Sequence, residues 1–307
     1  MNAMLVFKQM LILFAMMLAG YYCYRNDWLD ENSYNKLSKI VVNILNPILV
    51  INGVTNSDIG SNTEKVLVNL ALVLAYFVIL IVLSYVVVKI LKIPKSHDYL
   101  YRMMLIFSNV AFIAIPLITR IYGEGSVLYI AFYILVYNIL LYTYGIYIAS
   151  SRSGNENNRL QLKKLANPGV LACMIAIVIF VFKIPVSDSV KSFTDYMGTA
   201  AIPMSMMLIG ASIAKANWNQ LFKYKYMYPF LIIKMLVVPI IIAQVVGRTA
   251  LPTDLIGIFV FMFAMPVGSI VVLLAMEYGA DEECCTSGAV LSTLFSVISI
   301  PMVSFFL

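Results

Sequence analysis

Apolar residues fall in long blocks along this chain, separated by short polar stretches rather than alternating with them. A helix needs about 20 residues to cross a bilayer. On that measure the blocks predict ten spans, at 4–24, 33–54, 66–90, 99–121, 126–149, 166–183, 191–213, 225–246, 254–277 and 284–306. The second and seventh begin on charge, with Lys36, Lys39, Lys191 and Asp195 in their first turns. The first block has no basic flank before it and no small-residue cleavage site after it, so it reads as a retained span and not a signal peptide. The longest polar stretch, 150–165, divides the ten into five and five: a first repeat at 1–149, a cytoplasmic loop, and a second repeat at 166–307.

Composition supports an all-α integral membrane protein. Hydrophobic residues make up 62% of the chain, charged residues 12%, and mean hydropathy is +0.91. Soluble domains carry about 45–50% apolar and about 25% charged residues. Basic residues cluster in the loops after odd-numbered spans, among them Lys89, Lys92, Lys95, Lys163, Lys164 and Lys223; the other side carries Lys65, Arg120, Lys183, Lys191 and Arg248. By the positive-inside rule both termini lie outside the plasma membrane. The net charge of +6 is spread over many loops, so it calls for no nucleic acid. Many tyrosines, including Tyr21, Tyr22, Tyr24 and Tyr226, sit at cytoplasmic span ends, where interfacial anchoring explains them. Four cysteines without disulfide or metal-ligand spacing and one histidine, His97, imply no metal and no cofactor.

The chemistry is concentrated where the helical pattern is interrupted. Pro116 and Pro266 sit near the middle of spans four and nine. A proline removes a helical hydrogen bond and crowds the carbonyl four residues back, here Phe112 and Met262. Such carbonyls are tolerated in a membrane only against a protein-walled cavity. Broken helices in matching positions of two halves point to a transporter binding site. An odd number of spans per half inverts the second half, and Asn46-Pro47 in span two pairs positionally with Ile202-Pro203 in span seven. A half-helix starting at each proline would offer free N–H groups and about half a positive charge. Two such ends meeting at mid-depth favour a carboxylate.

Four motifs carry a resemblance over essentially the whole chain. Ala201-Ile202-Pro203-Met204-Ser205 running into Leu208-Ile209-Gly210-Ala211-Ser212, and Met265-Pro266-Val267-Gly268-Ser269 followed by Ala275-Met276-Glu277-Tyr278-Gly279, resemble the seventh and ninth spans of the auxin efflux carrier family, which includes plant PIN-type transporters. Asn109 followed by Pro116 resembles its fourth span, and Asn46-Pro47 its second. The resemblance implies ten helices in two inverted repeats of five, a fold shared more distantly with bile-acid sodium symporters. It implies a dimerising scaffold from helices 1, 2, 6 and 7. A mobile transport domain would come from helices 3–5 and 8–10, with helices four and nine broken and crossing, in an elevator. The family pattern has glycines between the fourth-span Asn and Pro; here Ala111 and Ala114 stand there.

The candidate substrate-binding residues are Asn109, Ser108, Pro116, Pro266, Gly268, Ser269, Lys234 and Asn46. Asn109 and Ser108 offer amide and hydroxyl contacts, and Gly268 with Ser269 follows Pro266. Buried polar groups of this kind also simply join helices. Asn46 either lines the substrate path or satisfies carbonyls loosened by Pro47. Asn138 is a further polar residue with no motif behind it. Lys234 sits near mid-depth, where a charge costs about 2.5–3.5 kcal/mol. It balances a substrate carboxylate or helps coupling, or else snorkels or pairs with carbonyls. No Asp or Glu lies at mid-depth, which argues against a carboxylate sodium site or proton relay. The reading is a secondary active or potential-driven carrier of small organic anions such as dicarboxylates or aromatic acids, with no catalytic residues. A sodium-coupled symporter and a non-transporting ligand sensor are the alternatives. An intramembrane enzyme lacks its nucleophile, paired aspartates or metal cluster.

Overall fold

The computed structural model describes residues 3–55, 63–150 and 167–307. Apart from Ser150, the expected loop at 150–165 lies outside the described residues, as does the first residue of span six. The described chain is helical throughout, with one isolated β-bridge and no strand. In chain order the helices are α1 (Ala3–Arg25), α2 (Glu31–Thr55), α3 (Thr63–Ile90), α4 (Asp98–Ile106), α5 (Val110–Tyr122), α6 (Ser126–Ser150), α7 (Pro168–Val181), α8 (Asp188–Lys215), α9 (Met227–Val246), α10 (Thr253–Ala264), α11 (Ile270–Glu277) and α12 (Glu282–Ser304). Among the described residues, seven of these (α1, α2, α3, α6, α8, α9, α12) are long and apolar enough to cross a membrane. α7 is a shorter apolar helix. The blocks expected as spans four and nine are each two short helices around a non-helical turn.

Local chemistry sets the helix starts. Asp30 Oδ1 accepts the Ser33 N–H at 2.9 Å, Asn167 Oδ1 the Val170 N–H at 3.0 Å and Asp281 Oδ1 the Cys284 N–H at 3.0 Å, each filling an orphan donor of a first turn. Ser33 also holds the exposed Asp30 carboxyl below the ordinary aspartate range. Pro168 follows Asn167 at the first helical position, where its missing N–H costs nothing.

Prolines inside helices meet a different solution. Asn46-Pro47, Ile115-Pro116 and Val238-Pro239 each follow a five-residue π turn, and the residue before each proline donates to a carbonyl five positions back: Asn46 to Val41, Ile115 to Val110, Val238 to Ile233. The wider turn gives the ring room without breaking the helix. Pro203 is carried inside α8.

Two sets of helices pack side by side. In one, α1 and α2 pack on α8, and α7 packs on α2. In the other, α3 packs on α4, α9 on α10 and α11 on α12, with α6 against α3 and α12 against α9. α1 against α12 and α6 against α7 join the sets. An aromatic cluster fills the second: Tyr76 lies 4.7 Å from Phe263 and 5.4 Å from Tyr133, ring centre to ring centre, with Phe259 beside Phe263. At one end Asp281 accepts from Tyr224 at 3.0 Å and faces His97 Nε2 at 3.2 Å, tying together the approaches to α4, α9 and α12. Desolvation, then the Asp281 carboxylate, holds the Tyr224 hydroxyl above the ordinary tyrosine range. The outer face of α3 exposes Leu67, Leu74, Val78, Val82 and Ile90, a stripe suited to acyl chains rather than water.

Without a hydrophobic drive between helices in lipid, close packing of small residues holds them together. α1 and α8 meet through Gly20 and Gly210: a Cβ at Gly210 would lie 1.7 Å from the Met17 carbonyl oxygen, and one at Gly20 would lie 2.0 Å from that of Met207. Gly210→Val should therefore force these helices apart and destabilise the protein by at least about 1–3 kcal/mol. The check is a melting curve of the detergent-purified variant; a wild-type midpoint would show that the backbones do not need this approach.

Candidate functional site

The breaks in the two interrupted segments meet. Asn109 N donates to the Pro266 carbonyl at 2.8 Å and Gly268 N donates to the Phe107 carbonyl at 2.9 Å, around an antiparallel bridge between Ser108 and Val267. The pattern is reciprocal: each turn gives one N–H and takes one. The Val267 N–H, facing away from the bridge, goes to Ser292 Oγ of α12 at 2.9 Å. Gly268 allows the approach, since a Cβ there would sit 3.0 Å from the Phe107 oxygen and 3.1 Å from that of Ser108.

Crossing in this way leaves carbonyls on each side without their helical donors, Leu105 O and Met262 O among them. Met262 O would bond the residue four ahead, which is Pro266 and has no N–H. Leu105 O would bond Asn109, whose N–H is spent on the crossing. The neighbouring long helices answer both. Tyr76 of α3 donates its hydroxyl to Met262 O at 3.1 Å; Lys234 of α9 donates to Leu105 O at 3.3 Å and to Ser108 Oγ at 2.7 Å. The freed Met262 carbonyl expected from the sequence thus has its partner. Lys234 is buried and pairs with a carbonyl rather than snorkelling.

The prolines play different parts from those expected. Pro266 lies in the turn itself, yet the following helix starts four residues later, at Ile270. Pro116 starts no half-helix: α5 begins at Val110, and Pro116 follows its π turn. The break lies at 107–109 because Asn109 caps α5 through Oδ1, accepting the Phe112 N–H at 3.2 Å, so a cap rather than a proline starts this helix. Between Asn109 and Pro116, where the family pattern has glycines, the chain is already helical. No side chain caps α11, whose N-cap is Ser269.

A cavity of about 310 Å³ borders the crossing. Its walls are α2 (Asn43, Asn46, Pro47), the first turn (Ser108, Asn109), α6 (Tyr137, Asn138), the start of α7 (Asn167) and the second turn (Gly268, Ser269). No charged side chain lines it among the described residues. A smaller one, about 60 Å³, shares Asn109 and Ser269 and adds hydroxyls from Tyr34, Ser205, Ser212 and Thr293. Asn46 is 8% exposed and its Oδ1 has no hydrogen-bond partner. Of the expected site residues, Asn46, Ser108, Asn109, Gly268 and Ser269 line the larger cavity, whereas Pro116, Pro266 and Lys234 do not. Tyr137 and Asn167 were not foreseen; an Asn-Pro pair signals only a helix start, and the fold brings Asn167 to Asn138 of α6, to which its Nδ2 donates at 3.4 Å. Among the described residues no three His, Cys, Asp or Glu side chains gather as metal ligands would.

Comparison with known proteins decides the class. The model of a family described as membrane transport protein matches residues 5–304. The chain belongs to that family. This bears out the resemblance to auxin efflux carriers read from the four motifs, and places the chain among membrane transport proteins. A similar protein is an uncharacterized transporter of Methanothermobacter thermautotrophicus (strain Delta H), 20% identical over 297 residues, which are 96% of each chain.

Gly268→Val should disrupt the crossing. The branched side chain has only backbone oxygens to push against, and overpacking of this kind costs about 1–3 kcal/mol. Amide exchange at Asn109, slow in the wild type, should become fast in the variant; unchanged exchange would contradict the reciprocal pair.

Proposed function

We propose that this transporter is a secondary carrier of small organic anions bearing a carboxylate, bound in the amide-lined cavity beside the crossing. The observation that carries the reading is the meeting of the two turns at that cavity. The uncapped start of α11 and the amides of Asn109 and its neighbours supply donors and partial positive charge without an arginine. The Asn109 oxygen is occupied by its cap, so what this side chain offers a ligand is its N–H₂, suited to an anion. Potential alone could drive export, since one charge across 100 mV is worth about 2.3 kcal/mol.

An inverted repeat of five plus five helices is supported by matched packing. If α1 corresponds to α7 and α2 to α8, then α1 on α8 matches α7 on α2, α1 on α12 matches α7 on α6, and α3 on α6 matches α9 on α12. The reciprocal crossing bonds, with Ser108 opposite Val267, fit the same axis. The group α1, α2, α7, α8 then serves as scaffold and surface for a second copy, and the remaining helices move against it as an elevator in the plasma membrane. The cavity lies between the two groups. Its walls near the start of α2, the end of α6 and the start of α7 adjoin the basic loops, so with both termini outside it opens toward the cytoplasm.

Binding, uptake and two variants test this. A thermal-shift screen of the purified protein against dicarboxylates and aromatic carboxylic acids should find stabilising acids, and proteoliposomes should take up the same acids. Asn109→Ala should weaken their binding about tenfold or more, as loss of a hydrogen bond to a charged group does. Binding without uptake would favour a sensor, and no acid response at all would remove the reading. Asn46→Leu removes a buried acceptor that lacks a donor, so the empty protein should gain about 1 kcal/mol in stability. The same variant should bind more weakly those acids that carry a hydroxyl or amine donor, and equal affinity for all acids would show that Asn46 makes no contact.

A further inference from the structure

Lys234 lines neither cavity, yet its ammonium lies at the crossing. Nζ has two oxygen partners, Leu105 O and Ser108 Oγ, and none of the ion pairs among the described residues involves it. Filling space does not account for it, since methionine or leucine would do so without the insertion cost of a charge, about 2.5–3.5 kcal/mol. What it touches is the carbonyl end of a short helix, where aligned peptide dipoles leave about half a negative charge. Carriers with broken helices hold their coupling cations at such ends. The freed carbonyl of the other half, Met262 O, receives a neutral hydroxyl from Tyr76. Of these two freed carbonyls, the one at the end of α4 takes a cation, and this chain supplies it covalently.

We infer that Lys234 is a resident cation: its ammonium occupies, at the end of α4, the position of an exchangeable monovalent cation, and its removal opens a binding site for one. Leu105 O and Ser108 Oγ would remain as oxygen ligands for the incoming ion. Through Ser108, which lines the cavity, the same charge stands one side chain behind the proposed anion site.

The test needs no transported substrate, so its outcome is separate from that of the acid screen. Purified wild-type protein and Lys234→Ala are melted in choline, sodium and methylammonium chloride at equal ionic strength. The wild type should melt at one temperature in all three. Lys234→Ala should melt lower in choline and rise saturably by several degrees with methylammonium or sodium. A variant that ignores the cations overturns the inference, as does a wild type that sodium stabilises over choline. If Lys234→Ala aggregates in choline, extraction in methylammonium should recover monodisperse protein, and equally poor recovery in all three salts overturns the inference. Lys234→Met, which fills the space without charge, should melt below the wild type and show no cation response; a Met variant as stable as the wild type also counts against it.

Discussion

Two backbone hydrogen bonds, Asn109 N to Pro266 O and Gly268 N to Phe107 O, set the terms for the rest of this molecule. In hydrocarbon an unpaired peptide group is expensive, so a helix can stop mid-membrane only if something else meets its polar ends. Here each interrupted segment is met by the other. The exchange frees Leu105 O and Pro266 frees Met262 O, which explains why a lysine and a tyrosine lie buried on α9 and α3. It also brings Ser108, Asn109 and Ser269 to one cavity wall. Remove the exchange, and none of these polar groups has a reason to be where it is.

Much of the fold was legible because bilayer length and hydrophobic blocks leave few alternatives. The expected spans fall on helices, and the two blocks singled out as interrupted are the two that break. What sequence could not supply was where a break falls within a block. Pro116 looked like the interruption because prolines break isolated helices, yet a π turn absorbs it, as others absorb Pro47 and Pro239. The break belongs to Asn109, whose capping oxygen starts α5. Lys234 takes one of the alternatives the sequence left open, pairing with a carbonyl, since depth in a span says nothing about which face a side chain takes. Tyr137 and Asn167 were missed because a lining residue is defined by its neighbour across the cavity.

The cavity is also informative for what its walls are made of. Amides and hydroxyls dominate its polar surface, and the described lining carries no formal charge. A binding site that must release its guest on the far side benefits from such moderate contacts, whereas a fully desolvated salt bridge would hold too well. Partial charges from helix ends, amide N–H groups and a lysine one layer back provide attraction graded in that way.

The π turns bear on how this chain tolerates changes in length. A π turn holds one residue more than the α turn it replaces while completing about the same rotation. Deleting one residue from Val41–Leu45 would therefore restore an α turn with the two halves of α2 facing as they do now, and the Pro47 ring would lose the room that the wider turn gives it. Elsewhere in a helix the same deletion turns everything before it by about 100°. The π turns are the places where this chain can lose a residue without a change of aim.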